Sequence, residues 1–189
     1  MTDGRVLFRE FLRAPTQTAT LTASSDALVA AVTAPLALDG DPVVVELGAG
    51  TGRVTDALQH RLAGRGTHVA VELNTVLAQR LAARHPGVVV VSGDAGRLPE
   101  LLAAHGVERA DGIVSLLPWA AHAAAPVPAL AAGVLAPGGV FTQVALLGLH
   151  LLPPAQRIVR DMRAAFTEVT ISAPVWGNLP PARVIVGRR

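Results

Sequence analysis

The sequence predicts an α/β protein built on a doubly wound, mostly parallel sheet of seven strands, preceded by a helical extension at the N-terminus. Short β-branched apolar runs alternate along the chain with segments of helical character. The apolar runs are nearly continuous, as in strands that are covered on both faces. A glycine-rich turn directly follows the first of these runs, at the place where doubly wound sheets bind their ligands.

Length and composition agree with one such domain. The chain has 189 residues, of which 51% are hydrophobic and 16% are charged, so it can form a core without disulfides or a structural metal. Cysteine is absent, which excludes thiolate catalysis and Cys-ligated metal sites. The six histidines form no i, i+4 pair, and no metal site is expected. The formal net charge of +2 is too small to argue for nucleic-acid binding.

Two helices are predicted before the first strand. Residues 4–13 are amphipathic at helical spacing. Ser24, Ser25 or Asp26 can cap a second helix that runs to about Leu38. We expect residues 1–40 to form a helical extension or lid, and residues 41–189 to form the ligand-binding domain.

The remaining elements alternate in the order expected of a doubly wound sheet. Apolar runs bounded by turn residues predict strands at 43–47, 67–73, 88–92, 111–117, 140–147, 167–172 and 183–187, the last two as a hairpin pair. Helical spacing predicts helices at 53–63, 75–84, 98–105, 127–135 and 155–166. Asn74 is placed as the N-cap of the helix at 75–84. The glycines of Pro137-Gly138-Gly139 predict a turn before the fifth strand.

The most specific motif is Glu46-Leu47-Gly48-Ala49-Gly50-Thr51-Gly52, between the first strand and the next helix. Glycines let the backbone turn tightly and approach a ligand. The spacing G-x-G-x-G differs from the dinucleotide fingerprint G-x-G-x-x-G, and the acid before the glycines indicates a cationic or amine-bearing ligand. Two further acids end the next strands: Glu72 can bind ribose hydroxyls, and Asp94 can accept from an adenine amino group.

This ordered set resembles class I S-adenosylmethionine-dependent methyltransferases, over residues 43–187. The resemblance implies a Rossmann-like methyltransferase sheet with S-adenosylmethionine as cofactor. It places Glu72 at the ribose, Asp94 with Ala95 at the adenine, and Leu73 in the same cofactor site. The residues that it places at the methionine moiety are Glu46, Gly48, Ala49, Gly50, Thr51 and Gly52. The alternative is a glycine turn in a related nucleotide-binding fold.

A second motif, Ser115-Leu116-Leu117-Pro118-Trp119, ends the fourth strand. It resembles the polar-x-Pro-aromatic motif of N-methyltransferases that act on amino groups. The resemblance implies catalytic roles for Pro118, which fixes the turn, and for Trp119, whose face attracts an alkylammonium group. Ser115 and Leu117 are the expected substrate contacts. The alternative for Trp119 is packing in the core.

The incoming amine must be neutral when it attacks, so a nearby base is useful. His122 is the leading candidate, ahead of His150 and Glu10. Arg13 is a candidate for binding a substrate phosphate; the alternative is that it is simply exposed. Leu116 stands where adenine methyltransferases of nucleic acids usually carry Asn or Asp, which disfavours a nucleic-acid substrate.

Several further stretches are similar to the small bacterial phospholipid N-methyltransferases, a group related to ribosomal RNA adenine dimethyltransferases. The stretches are Phe11-Leu12-Arg13-Ala14-Pro15, Thr18-Ala19-Thr20-Leu21 with Ser24-Ser25, Leu117-Pro118-Trp119, and the run from Val175 to Ala182. The resemblance implies an amine acceptor on a phospholipid headgroup such as phosphatidylethanolamine. The alternatives are a soluble amine substrate, an RNA adenine substrate, and a non-catalytic cofactor-binding partner protein.

The first predicted helix also suggests a membrane contact. Leu7, Phe8, Phe11 and Leu12 share one face, and Arg5, Arg9 and Arg13 share another. Such a helix can lie weakly and reversibly on an anionic bilayer; the alternative is a lid over the cofactor. Because the N-terminus lacks the apolar run of a signal peptide, we expect a cytoplasmic protein, in peripheral contact with the inner face of the membrane.

Overall fold

The computed structural model of the protein describes residues 24–147 and 153–189, and of residues 119, 120 and 153–155 it describes the backbone alone. The predicted helix at residues 4–13 lies outside this part of the chain, together with Arg13, Glu10 and His150. The described helices are α1 (Asp26–Thr33), α2 (Arg53–Leu62), α3 (Thr75–Arg84), α4 (Leu98–Ala103), α5 (Trp119–Ala124), α6 (Val127–Val134) and α7 (Pro153–Ala165). The described strands are β1 (Val43–Leu47), β2 (Thr67–Glu72), β3 (Val89–Ser92), β4 (Ala110–Ser115), β5 (Leu135–Leu146), β6 (Glu168–Ile171) and β7 (Ala182–Arg188).

Seven strands form one sheet in the order β3-β2-β1-β4-β5-β7-β6. β1 to β5 pair in parallel, whereas β7 pairs antiparallel with both β5 and β6. The sheet is therefore mixed, and the expectation of a mostly parallel sheet is corrected. The cause is the connection at residues 172–181, which contains no crossover helix in the structure, so the chain re-enters the sheet in the opposite direction. The predicted hairpin pair of the last two strands is confirmed.

The strand order reverses between β1 and β4. In open α/β sheets, ligands bind outside the carboxyl ends of the strands at such a switch point. The glycine loop follows β1 and the Pro118 turn follows β4, so the topology brings the two sequence motifs to one crevice.

Helices cover both faces of the sheet, which explains the nearly continuous apolar pattern of the strands. On one face, Phe141 of β5 packs with Met162 of α7, and its ring stacks on Phe166 with centroids 5.6 Å apart. On the other face, α1 contributes Leu28 and Val32 to a cluster with Leu58, Val44 and other buried residues. α1 is therefore part of the core.

Most predicted boundaries agree with the structure, and the differences have local causes. α1 ends at Thr33 rather than near Leu38, because Pro35 has no amide hydrogen with which to continue the helical hydrogen bonds. β5 begins at Leu135, and its register with β4 shifts between Ala110 and Gly112. The expected turn at residues 137–139 is thus an irregularity within the strand. α5 was not predicted. No helix in the described part is long and apolar enough to cross a membrane.

Candidate active site

The glycine loop is fixed by hydrogen bonds to the neighbouring strands. The Gly48 amide donates to the Val71 carbonyl at 2.8 Å, and the Leu47 carbonyl accepts from Leu116 at 3.0 Å. Gly48, Gly50 and Gly52 all have positive φ angles, of 76°, 53° and 82°. Residues other than glycine rarely adopt such backbone conformations. The sequence needs glycine at these positions to make this turn.

The three glycines differ in their surroundings. A Cβ atom on Gly52 would lie 2.1 Å from Arg84 Nη2, and one on Gly48 would lie 3.1 Å from Leu117 Cδ2. At Gly50 the nearest atom would be the Gly48 carbonyl oxygen, at 3.9 Å. Gly48 and Gly52 therefore allow close packing against protein, whereas Gly50 adjoins open space that a ligand can occupy.

Glu72 joins the glycine loop to the start of α3. Its Oε2 accepts from the Gly50 amide and its Oε1 accepts from the Asn74 amide, both at 2.8 Å. The residue is only 7% exposed. These two backbone amides fix the position of the carboxylate. Each of its oxygens can still accept one further hydrogen bond.

Asp94 lies beyond the next strand. Glu72 is in register with Ser92, so Asp94 follows the neighbouring strand end by two residues. Its Oδ1 accepts from the Gly96 amide at 2.8 Å, which caps a short 3-10 turn, Ala95–Arg97. Asp94 is exposed, Ala95 is buried and Leu73 is half-buried. The structure thus brings an acid and apolar surface to the same edge as Glu72.

Glu46 occupies a different environment from the other two acids. It is fully buried, and Thr55 of α2 donates to its Oε2 at 2.6 Å. His68 Nε2 lies 3.3 Å from the same oxygen without hydrogen-bond geometry, and Gln59 contacts His68 Nδ1 at 3.0 Å. Oε1 has no hydrogen-bond partner among the described residues. The carboxylate therefore belongs to a buried polar cluster between β1, β2 and α2.

The acceptor motif begins in the interior and leads into α5. Ser115 and Leu117 are buried, and Pro118 in extended conformation precedes the first residue of the helix, Trp119. The side chain of Trp119 lies outside the described part of the structure, so its proposed place beside the reacting groups stays a prediction.

His122 is held by a residue that the motif analysis missed. Its Nε2 lies 2.9 Å from Gln143 Oε1, while the Gln143 amide nitrogen donates to the Leu117 carbonyl at 3.0 Å and to the Val144 carbonyl at 2.8 Å. Gln143 is fully buried. The sequence signal was a polar residue inside an apolar strand, which by itself did not indicate a role at the Pro118 turn.

The hydrogen bonds of Gln143 show which ring nitrogen of His122 carries the hydrogen. Because the Gln143 amide group donates to two carbonyls, its oxygen faces His122 as an acceptor, and Nε2 of the imidazole carries the hydrogen. Burial lowers the pKa of His122 from 6.5 to about 4, against the opposing effects of the Gln143 hydrogen bond and the Asp161 charge. His122 is therefore neutral at pH 7. Its Nδ1 has no hydrogen-bond partner in the described structure.

These features fit the expected nucleoside cofactor. Open space adjoins Gly50, and Glu72 is organised to accept from hydroxyl groups. Asp94 Oδ1 accepts from Gly96, and its Oδ2 has no hydrogen-bond partner among the described residues. The acid in the glycine motif has an unpaired buried oxygen, which calls for a donor.

The chain is similar to a known lipid methyltransferase over nearly its whole length. No protein-family model matches the sequence. The chain is 31% identical over 189 residues to an ornithine lipid N-methyltransferase of Singulisphaera acidiphila, covering 96% of this chain and 94% of the relative.

Solved structures show that the fold is shared with methyltransferases. An O-methyltransferase from Bacillus cereus in complex with SAH has a TM-score of 0.69 at 18% identity, covering 96% of this chain and 90% of that one. Precorrin-6y C5,15-methyltransferase from Geobacter metallireducens has a TM-score of 0.64 at 16% identity, covering 89% and 90%. Fibrillarin from Aeropyrum pernix with bound S-adenosyl-L-methionine has a TM-score of 0.59 at 17% identity, covering 79% and 67%.

Proposed function

The chain belongs to the S-adenosylmethionine-dependent methyltransferase family of the ornithine lipid N-methyltransferase, and from this premise we propose that it methylates the amine of a membrane-lipid headgroup. The observation that carries the proposal is the extent of the similarity, which spans 96% of this chain and 94% of the relative. It includes the acceptor side of the sheet as well as the cofactor side. The headgroup of an ornithine lipid and that of phosphatidylethanolamine are the candidate acceptors, because both present a primary amine.

The cofactor supplies an activated methyl group on a sulfonium, so the main task of the protein is positioning. We assign Glu72 to the ribose, and Asp94 with Leu73 and Ala95 to the adenine. The loop Gly48-Ala49-Gly50-Thr51-Gly52 is assigned to the methionine moiety, with Gly50 at the closest approach. Glu46 is assigned to the same moiety, and its unpaired buried Oε1 supports a role in balancing the positive charge there.

The acceptor amine is placed at the Pro118 turn. The Leu117 carbonyl already accepts from Gln143, and its second lone pair can accept from the amine. Ser115 lies buried at the same strand end. Neutral His122, with its lowered pKa, acts here as a hydrogen-bond acceptor for the amine. The proton that the methylated amine releases passes to solvent. We expect Trp119→Ala to lower the rate of methyl transfer far more than the affinity for S-adenosylhomocysteine measured by calorimetry.

The deciding experiment follows the methyl group. The full chain is incubated with isotope-labelled S-adenosylmethionine and vesicles that contain ornithine lipid, phosphatidylethanolamine or neither, and the lipids are analysed by mass spectrometry. We expect label on at least one amine-bearing lipid, and the two vesicle types show which headgroup is used. A parallel incubation contains free ornithine in place of vesicles, and label on this soluble amine, with both lipids unlabelled, would favour the soluble-substrate alternative.

A membrane contact is proposed at the same edge of the sheet. The segment at residues 172–181 carries Trp176, 74% exposed, and Leu179, 85% exposed. It leads into β7 at Ala182, which is in register with Leu146 near the end of β5. Tryptophan is favoured at membrane–water interfaces, where its ring is partly buried and its N–H stays hydrated. Within residues 1–40, the helix predicted at residues 4–13 is proposed to add a second contact. Residues 41–189 are proposed to form the catalytic domain, with α1 packed into its core.

A further inference from the structure

A groove of about 410 Å³ opens between α7 and the strands β5, β6 and β7. Its walls include the aliphatic side chains of Ala145, Val159 and Ile185. Three arginines, Arg160, Arg163 and Arg183, lie among the same lining residues. No described residue that lines the groove is acidic. The groove therefore combines an apolar interior with concentrated positive charge, which suits an amphiphile that carries an acid group.

The charge of the groove is only partly neutralised by the protein. The nearby acid on α7 is Asp161, whose carboxylate lies 3.4 Å from Arg157 Nε and 3.7 Å from Arg160 Nε. Arg183 Nε is buried without a hydrogen-bond partner in the described structure. A buried donor without an acceptor is costly, and nearly all such groups in proteins are satisfied. An anionic oxygen bound in the groove would satisfy Arg183.

The groove adjoins the acceptor turn. Ser115 of β4 is in register with Gln143 of β5, and Ala145 follows two residues later along β5. Neighbouring strands lie about 4.8 Å apart, so the groove begins about one strand spacing from the turn after β4. α7 also packs against α5, the helix that carries His122. A substrate can therefore place an amine at the turn while its remainder lies in the groove.

We propose that this groove binds the acceptor lipid next to its amine, with the arginines holding the acid group and the aliphatic walls holding the first carbons of an acyl chain. The inference rests on the proposed function and deepens it by naming the chemistry of the substrate. The acid group is a carboxylate in an ornithine lipid and a phosphate in phosphatidylethanolamine. A soluble anion would need the arginines but not the apolar walls, so the structure favours a lipid.

The test compares two double variants that carry the same change. Arg163→Met/Arg183→Met removes charge from the groove. Arg157→Met/Arg188→Met removes one arginine from α7 and one from β7 outside it, where Arg157 pairs with Asp161 and Arg188 lies 4.0 Å from Glu168. Binding of short-chain phosphatidylethanolamine and of short-chain ornithine lipid is measured by calorimetry without cofactor. KM and kcat for the same lipids are measured separately.

We expect the groove variant to bind short-chain lipid about tenfold more weakly and to show a similarly raised KM, because charge-assisted hydrogen bonds are lost. Its kcat and its affinity for S-adenosylhomocysteine should match those of the control variant. Equal lipid affinity and KM in the two variants, with active wild type, would overturn the groove assignment and leave the proposed function standing. Lipid binding that depends on the groove arginines without methyl transfer would support the groove and contradict the proposed function.

Discussion

At the scale of single residues, Gly50 is the position at which cofactor binding and folding can be separated. Its φ of +53° and the open space beside it mean that Gly50→Leu places a side chain where the ligand is expected. Gly40 has a φ of +66°, and a Cβ atom added there would have no neighbour within 4 Å, so it gives a matched control with similar backbone strain. We expect calorimetry to show loss of S-adenosylhomocysteine binding in Gly50→Leu and retention in Gly40→Leu. Equal binding in both variants would contradict this placement of the cofactor.

His122 makes stability depend on pH. In the unfolded chain His122 has its ordinary pKa of 6.5, whereas burial lowers the pKa to about 4 in the folded protein. Between these values the unfolded state binds a proton that the folded state does not, so the free energy of unfolding falls as the pH falls. The full effect is about 3 kcal/mol, present above pH 6.5 and lost by pH 4.

Urea unfolding at pH 7 and pH 4 of wild type and His122→Gln checks this prediction. The variant should lose less stability between the two pH values than wild type, since glutamine does not titrate. His60→Gln, at an exposed histidine on α2, should resemble wild type. The same pH dependence in all three proteins would show that His122 is not the group responsible.

At the scale of elements, α3 is anchored where it meets the proposed cofactor site. Asn74 Oδ1 accepts from the backbone amides of Val76 and Leu77, at 3.0 Å and 3.2 Å. The backbone amide of Asn74 donates to Glu72. We expect Asn74→Ala to lower the free energy of unfolding by about 1 kcal/mol, a usual cost of losing an N-cap. Asn74→Ser should restore most of it, because serine also caps. Thermal or urea unfolding of the three proteins measures the difference, and equal stability of Ala and Ser variants would refute the capping role.

Elements that are defined by local sequence signals could be predicted, and those that depend on distant contacts could not. β1, the glycine loop and α3 were predicted because local signals define them: a β-branched run, glycines at fixed spacing and an N-cap. The hairpin pairing of β6 and β7 was predicted, but the insertion of β7 between β5 and β6, antiparallel to β5, was missed. It depends on a connection that contains no regular element. Gln143 was missed for a similar reason, because its partners His122 and Leu117 are more than twenty residues away along the chain.

At the scale of the whole molecule, three features share one edge of the sheet. The glycine loop follows β1, the arginine groove opens beyond β5, and the segment with exposed Trp176 and Leu179 leads into β7. A lipid whose chains remain in a bilayer can reach the methyl donor only if this edge faces the membrane. The arrangement therefore predicts which side of the molecule should bind vesicles.

Vesicle sedimentation can test this orientation. Trp176→Ala/Leu179→Ala removes the two most exposed large apolar side chains among the described residues, and we expect it to weaken binding to neutral and anionic vesicles alike, because the lost contribution is apolar burial. Val89→Ala, at a less exposed apolar residue at the start of β3 (37%), serves as the control and should bind as wild type does. Unchanged binding of the double variant would contradict the proposed edge.

Arg5→Glu/Arg9→Glu tests the helix predicted at residues 4–13 by a different signature. Each arginine near an anionic surface contributes about 1 kcal/mol, and salt screens that attraction. The charge reversal should therefore weaken binding to anionic vesicles at low salt and have little effect with neutral vesicles or at high salt. If the helix only closes over the cofactor, binding to both vesicle types will match wild type. The two sets of variants thus distinguish apolar insertion by the loop before β7 from electrostatic attachment by the N-terminus.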